Sequence, residues 1–156
     1  MIGKKRWAGG LAIAIALAVG GCSGGRPPLN LGVTETGLAP CPGSPNCVSS
    51  WTDAADRRVE PLRYAGDAAR ARVRLLEVLG GMERVRIVRS DDDYIHAEFR
   101  SAVFGFVDDV EFHFNPPGVI QVRSASRSGY YDFCVNRARV ATIRARFDAA
   151  ARAGIP

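Results

Sequence analysis

The sequence predicts an α+β fold: a two-layer domain in which an antiparallel sheet of about four strands carries two helices packed on its apolar face. Three observations predict it. Four consecutive segments between residues 84 and 127 alternate apolar and polar side chains with a period of two, the pattern of a sheet with one buried side. One segment before them and one after carry apolar residues at three- and four-residue spacing, the pattern of a helix with a single buried stripe. One apolar sheet face and two apolar stripes satisfy each other when the helices lie on that face.

The chain ahead of this domain reads as an export leader followed by a tether. Lys4, Lys5 and Arg6 precede an uncharged apolar run over residues 7–19. That run is too short to cross a hydrocarbon core of ~30 Å, which needs about 20 residues. Val19-Gly20-Gly21-Cys22 resembles a bacterial lipobox, with small residues at the cleavage point and a thiol to take diacylglycerol. Residues 1–21 are therefore expected to be a lipoprotein signal peptide, and Cys22 the lipidated residue. Acyl chains such as palmitate, at ~0.8 kcal/mol per buried CH₂, make the membrane the first expected partner. Ser23 stands where an Asp would resemble an inner-membrane retention signal, so the expected location is the periplasmic face of the outer membrane. Residues 22–38, rich in Gly, Pro and polar side chains, read as a flexible tether. A single domain over 39–156 follows.

Besides Cys22 the chain has Cys41, Cys47 and Cys134. In an oxidising envelope two of these should pair, and the turn-rich Pro42-Gly43-Ser44-Pro45-Asn46 between Cys41 and Cys47 can bring them together. A thiol pair for metal or redox work is the alternative, although redox motifs hold their cysteines closer. Cys134 is expected to be a buried or half-buried spare thiol.

Residues 67–79 form the first helical pattern. Ala69, Val73, Leu76 and Leu79 make a stripe, widened by Leu75 and Val78, with Asp67 as cap and Gly80-Gly81 as stop. The strands follow. In 84–90, Val85 and Ile87 share a face, and Asp91-Asp92-Asp93 turns the chain. In 94–101, Ile95, Ala97 and Phe99 face inward, while His96, Glu98 and Arg100 face outward. Residues 102–106 contain Gly105 and read as a bend. In 108–114, Val110, Phe112 and Phe114 oppose Asp109, Glu111 and His113. Asn115-Pro116-Pro117-Gly118 is a turn, and 119–127 sets Ile120 and Val122 against Arg123 and Arg127. Asn136 stands where it would cap a last helix with Val140, Ile143, Phe147 and Ala150 on its stripe and Gly154 at its end.

Charge excludes one class of function. The 21 basic residues fall to 18 once Lys4, Lys5 and Arg6 leave with the leader, against 16 acids, so the net charge drops from +5 to +2. Nucleic acid is not an expected partner. The chemistry-bearing residues concentrate late in the domain. Asp108, Asp109, Arg123, Ser126, Arg127, Tyr130, Asp132, Asn136 and Arg137 are the candidate binding residues. Arginine forks among them suit a phosphate or carboxylate. The plainer reading, and the favoured one, is a ladder of cross-strand ion pairs that keeps an open sheet face soluble. Asp108 and Asp109 invite a glycosidase reading, but neighbouring strand residues point to opposite faces. His96 and His113 could meet across a strand pair near acids, yet no metal-ligand spacing is present and no metal or cofactor is expected.

Three segments carry a resemblance to a known family. They are Cys41-Pro42-Gly43-Ser44-Pro45-Asn46-Cys47-Val48-Ser49-Ser50, then Phe104-Gly105-Phe106-Val107-Asp108-Asp109-Val110-Glu111-Phe112, then Val122-Arg123-Ser124-Ala125-Ser126-Arg127-Ser128-Gly129-Tyr130 with Asp132 and Val135-Asn136-Arg137. In that order they resemble the DUF1499 family of bacterial envelope proteins. The resemblance implies kinship of fold and brings no activity, substrate or catalytic residue. One departure is visible: Cys134 stands where the family tends to have Gly. The expectation is a lipid-anchored envelope module, non-catalytic, that binds a small molecule or an envelope protein. The alternatives are an envelope enzyme or metal binder using Asp108, Asp109, Arg127 and Asp132, and a carrier of an apolar ligand held between sheet and helices.

Overall fold

The computed structural model describes residues 27–154, so Cys22 and the leader lie outside the described residues. Two helices and an antiparallel sheet form the domain, as the alternation requires. The elements are β1 (Val33–Thr34), β2 (Gly37–Leu38), β3 (Cys47–Ser49), β4 (Leu62–Arg63), α1 (Ala68–Gly80), β5 (Val85–Ser90), β6 (Tyr94–Arg100), β7 (Val107–His113), β8 (Val119–Ser126) and α2 (Val135–Arg152). The main sheet has six strands rather than four, in the order β3-β8-β7-β6-β5, with β4 also pairing β8. The two additions are three and two residues long, too short to show a period. They lie end to end along the outer edge of β8: Cys47–Ser49 face Arg123–Ala125, and Leu62 and Arg63 face Ile120 and Val119.

The helices cover the apolar face. Ile95, Ala97, Val110, Phe112, Ile120 and Val122 from the sheet meet Ala71, Leu75 and Leu79 of α1 and Val140, Ile143 and Phe147 of α2, each at most 2% exposed. Each large side chain in this set contributes roughly 1.5–3 kcal/mol through burial. The stripe of α1 is rotated from its expected position. Ala69 and Val73 are exposed, and the buried row runs Ala71, Leu75, Leu79, where small Ala71 fills the contact. Asp67 caps the helix by accepting from the Ala69 N–H at 3.1 Å. In the edge strand β5 a register shift between Ile87 and Arg89 leaves Ile87 and Val88 exposed, so only Val85 of the expected pair packs on the core.

The second face of the sheet is not open. The segment expected to be a loose tether folds onto it from Gly32 onward: β1 and β2 form a hairpin, and Leu38 and Ala39 are buried. Gly37 permits this, because its φ is +115° and a Cβ there would press the Trp51 ring at 3.1 Å. The chain then returns to a disulfide between Cys41 and Cys47, whose Cα atoms are 5.7 Å apart. Thiol titration of denatured, unreduced protein is expected to find Cys134 free and Cys41 and Cys47 blocked. Replacing both bridged cysteines with Ser should lower stability by about 2 kcal/mol in urea unfolding, the loop-closure value for so short a loop.

Candidate functional site

The polar side chains of β6, β7 and β8 are the centre of interest, and the N-terminal cover places them in the interior. Glu98, Asp109, Glu111 and Arg123 are all buried. Desolvated charges persist only when paired, and here every carboxylate is matched. The Arg127 guanidinium donates to both oxygens of Asp109, at 2.7 and 2.8 Å, and to Glu98 at 2.5 Å. Glu98 also accepts from Arg86 at 2.7 and 3.1 Å, and His96 Nε2 lies 2.7 Å from Asp109. Glu111 accepts from Arg123 Nη1 at 2.5 Å, from the Tyr94 hydroxyl at 2.8 Å and from the Gly32 N–H at 2.6 Å. The last contact pins the N-terminal cover to the sheet.

Burial alone would push the Asp109 carboxyl upward; the hydrogen bonds from Arg127 and His96, with the positive field of Arg127, outweigh it and hold Asp109 below the usual range. Glu98 is likewise lowered: desolvation opposes, and the bonds from Arg86 and Arg127 win. The Tyr94 phenol is pushed up by burial and by the neighbouring Glu111. These groups are locked donors and acceptors. A carboxylate with lowered basicity, already accepting two or three bonds, is a poor general base.

A second polar cluster lies on the helix side of the same sheet end. Asn136, fully buried in the first turn of α2, accepts from Ser124 Oγ at 2.5 Å and from Arg139 at 2.7 Å. Its amide donates to the Asn46 carbonyl at 3.0 Å and to Ser126 Oγ at 2.9 Å. Arg139 reaches on to Asp108 at 2.5 Å. Asn136 is therefore a tie between elements and not the helix cap expected of it. That task falls to Asp132, which accepts from the N–H groups of Cys134 and Asn136 at 3.1 and 2.9 Å. Arg137 donates to the carbonyls of Asp56 and Arg58, at 2.6 and 2.7 Å, and Tyr130 stands exposed. Cys134 is exposed as well, against expectation. It sits at φ 64° and ψ 15°, the left-handed region that favours glycine over a residue with a side chain.

The nine candidate binding residues thus fall into three groups. Asp109, Arg123 and Arg127 share the covered polar face; Asp108, Ser126 and Asn136 share the helix side; Tyr130, Asp132 and Arg137 belong to the loop and the start of α2. The sheet separates Asp108 from Asp109, so they do not flank a common space. The surface ladder expected on an open face is corrected to an interior network. His96 and His113 do not join; the first meets Asp109 and the second lies 3.9 Å from Asp93. Among the described residues no group of three or more His, Cys, Asp or Glu is placed to hold a metal. Asn46, Ser124, Arg139 and Tyr94 belong to these clusters without standing out in the sequence. Asn46 lies in the first motif between a proline and a cysteine, and its buried contacts become visible only once β3 is known to pair with β8.

Among the described residues, an opening reaches the Arg123 end of this network. A cleft of about 250 Å³ is lined by residues of the N-terminal cover, among them Pro28, Asn30 and Ser44, and by Arg123, Ser126 and Arg127. Arg123 is 1% exposed at its side chain, and its buried Nε has no acceptor in reach among the described residues. These features define a class: a small α+β domain with helices on one side of an antiparallel sheet and a buried ion network on the other, closed over by a disulfide-held segment. The family described as Protein of unknown function (DUF1499) matches residues 37–147, and the chain belongs to that family. No curated protein and no solved structure matches it.

Proposed function

We propose that the chain is a bacterial lipoprotein held in the cell envelope through acyl chains on Cys22, on the periplasmic face of the outer membrane, and that its domain binds a ligand rather than transforming one. The observation that carries the binding reading is the cleft beside Arg123, whose buried Nε lacks an acceptor among the described residues. A buried donor without a partner costs about 1–3 kcal/mol, which an oxygen-bearing ligand entering beside it offsets. Support for the non-catalytic part comes from the carboxylates of the polar face, each held by arginine. The space expected for a carried apolar ligand is filled by Leu75, Phe112, Ile143 and Phe147, so that alternative gains nothing.

The test has two arms. Mass spectrometry of protein purified from membranes should give a chain that begins at Cys22 and carries diacylglycerol and a further acyl group, and Cys22→Ser should leave the membrane fraction. A full-length mass without lipid overturns the anchor. In the second arm, inorganic phosphate and acetate are titrated against thermal unfolding. A rise in Tm with one of them, abolished by Asn30→Trp at the rim of the cleft, supports binding; a rise that survives Asn30→Trp, or none with either, overturns this cleft as the site.

A further inference from the structure

The β6–β7 turn and the loop from β8 to α2 lie at one end of the sheet, since Arg100 pairs with Val107 and the Arg127 N–H donates to the Val107 carbonyl at 3.0 Å. Apolar side chains crowd that end and point outward. Val103 and Phe104 are 82% and 69% exposed, and Tyr130 and Phe133 are 75% and 83% exposed. Of the six exposed aromatics among the described residues, Trp51 alone lies elsewhere; Phe104, Phe106, Tyr130, Tyr131 and Phe133 belong here. They include two ring pairs, Phe104 with Phe106 and Tyr131 with Phe133, whose centroids are 5.6 and 5.3 Å apart. Clustered exposed aromatics call for a partner surface.

The position of the N-terminus says which surface. Pro28 lines the cleft together with Gly129, so the chain enters the domain at this same end, and the fully exposed Leu29 stands beside it. Six residue steps separate Cys22 from Pro28. Fully extended, they span at most about 20 Å. A strand of seven or eight residues, such as β7 or β8, is about 25 Å long. The leash is therefore too short for the domain to stand on its β1–β2 hairpin end, and it keeps the aromatic end near the bilayer. Tyr and Phe with mixed polar neighbours suit the headgroup boundary. Of the arginines exposed at this end, Arg84 pairs with Glu83 and Arg86 with Glu98, which leaves Arg100, bonded to the Gly105 carbonyl, to meet an anionic headgroup.

We infer that this aromatic end is a membrane-contact surface: the domain rests on the leaflet that holds its acyl chains, with Phe104 and Phe133 at the headgroup boundary and the Arg123 cleft opening beside the lipid. The inference rests on the Cys22 anchor proposed above. It is tested with the acylated full chain in vesicles of phosphatidylethanolamine and phosphatidylglycerol bearing brominated acyl chains. Phe104→Trp and Phe133→Trp are each made in a Trp51→Phe background, and the native Trp51 serves as the marker of the far end. Both new tryptophans should lose fluorescence by about twofold, and Trp51 should be nearly unaffected. A chain that is acylated by mass and floats with vesicles, yet shows no more quenching at 104 and 133 than at Trp51, overturns this inference alone. Unquenched probes together with a dimer in sedimentation overturn it too, and put a second copy on this face. Absence of both acyl mass and flotation removes the anchor and this inference together, whereas quenching without acylation shows that the surface binds lipid unaided and supports it.

Discussion

Arg127→Met is expected to destabilise the domain by about 3–5 kcal/mol, the usual cost of removing one partner from a buried ion pair. Arg127 is the cation shared by Asp109 and Glu98, and methionine keeps much of its bulk while deleting its charge. Asp109→Asn in the same chain should recover part of the loss, because it removes the charge that the first change leaves uncompensated. The pH dependence supplies an independent check. In the native protein the Asp109 and Glu98 carboxyls lie below their ordinary values, so their stabilisation is fully present above the unfolded carboxylate range of ~3.9–4.3 and is lost as pH falls further, through the folded values. Without Arg127, burial dominates at Asp109 and its carboxyl rises. The folded variant then binds protons more readily than the unfolded chain and gains stability on acidification. Urea unfolding at about pH 4.5 and about pH 7.5 should show the deficit shrinking at the lower value. An equal deficit at both values would mean that Arg127 acts through packing and not through charge.

The two helices and four long strands are legible in the sequence because each carries a period over six or more residues. What escapes is set by tertiary partners. β3 and β4 are too short for a period, and they are strands only because the edge of β8 is there to receive them. The polar face misleads for a related reason. Alternation shows that Asp109, Glu111 and Arg123 leave the apolar core, but not whether they reach water. A Gly- and Pro-rich segment with no period gives no sign that it will close over them, yet the Gly32 N–H on Glu111 and the buried Leu38 show that it does. The candidate binding residues do gather at one end of the sheet, but not around one space, since adjacent residues such as Asp108 and Asp109 work on its opposite sides.

The family motifs acquire a common physical meaning at Asn136. Asn46 comes from the first motif and Ser124, Ser126 and Asn136 from the third; they meet around one side-chain amide whose two donor and two acceptor positions are all used, and Asp108 of the second joins through Arg139. Asn136→Ala should therefore cost about 3 kcal/mol, leaving the Ser124 hydroxyl without its acceptor and Arg139 with one fewer. Asn136→Asp is the sharper test, since it keeps the shape and changes one nitrogen to oxygen. That oxygen would face the Asn46 carbonyl, acceptor against acceptor, in a buried site. The loss should be at least about 2 kcal/mol despite the isosteric exchange, and greater at pH 7 than in mild acid, where a protonated carboxyl again donates. Hydrogen exchange locates the damage: the Ser126 N–H, which donates to the Asn46 carbonyl at 3.0 Å, should lose protection in both variants. If that amide stays protected while stability falls, the Asn46 segment is held by its disulfide and the β3–β8 pairing, and the motifs do not act through this shared contact.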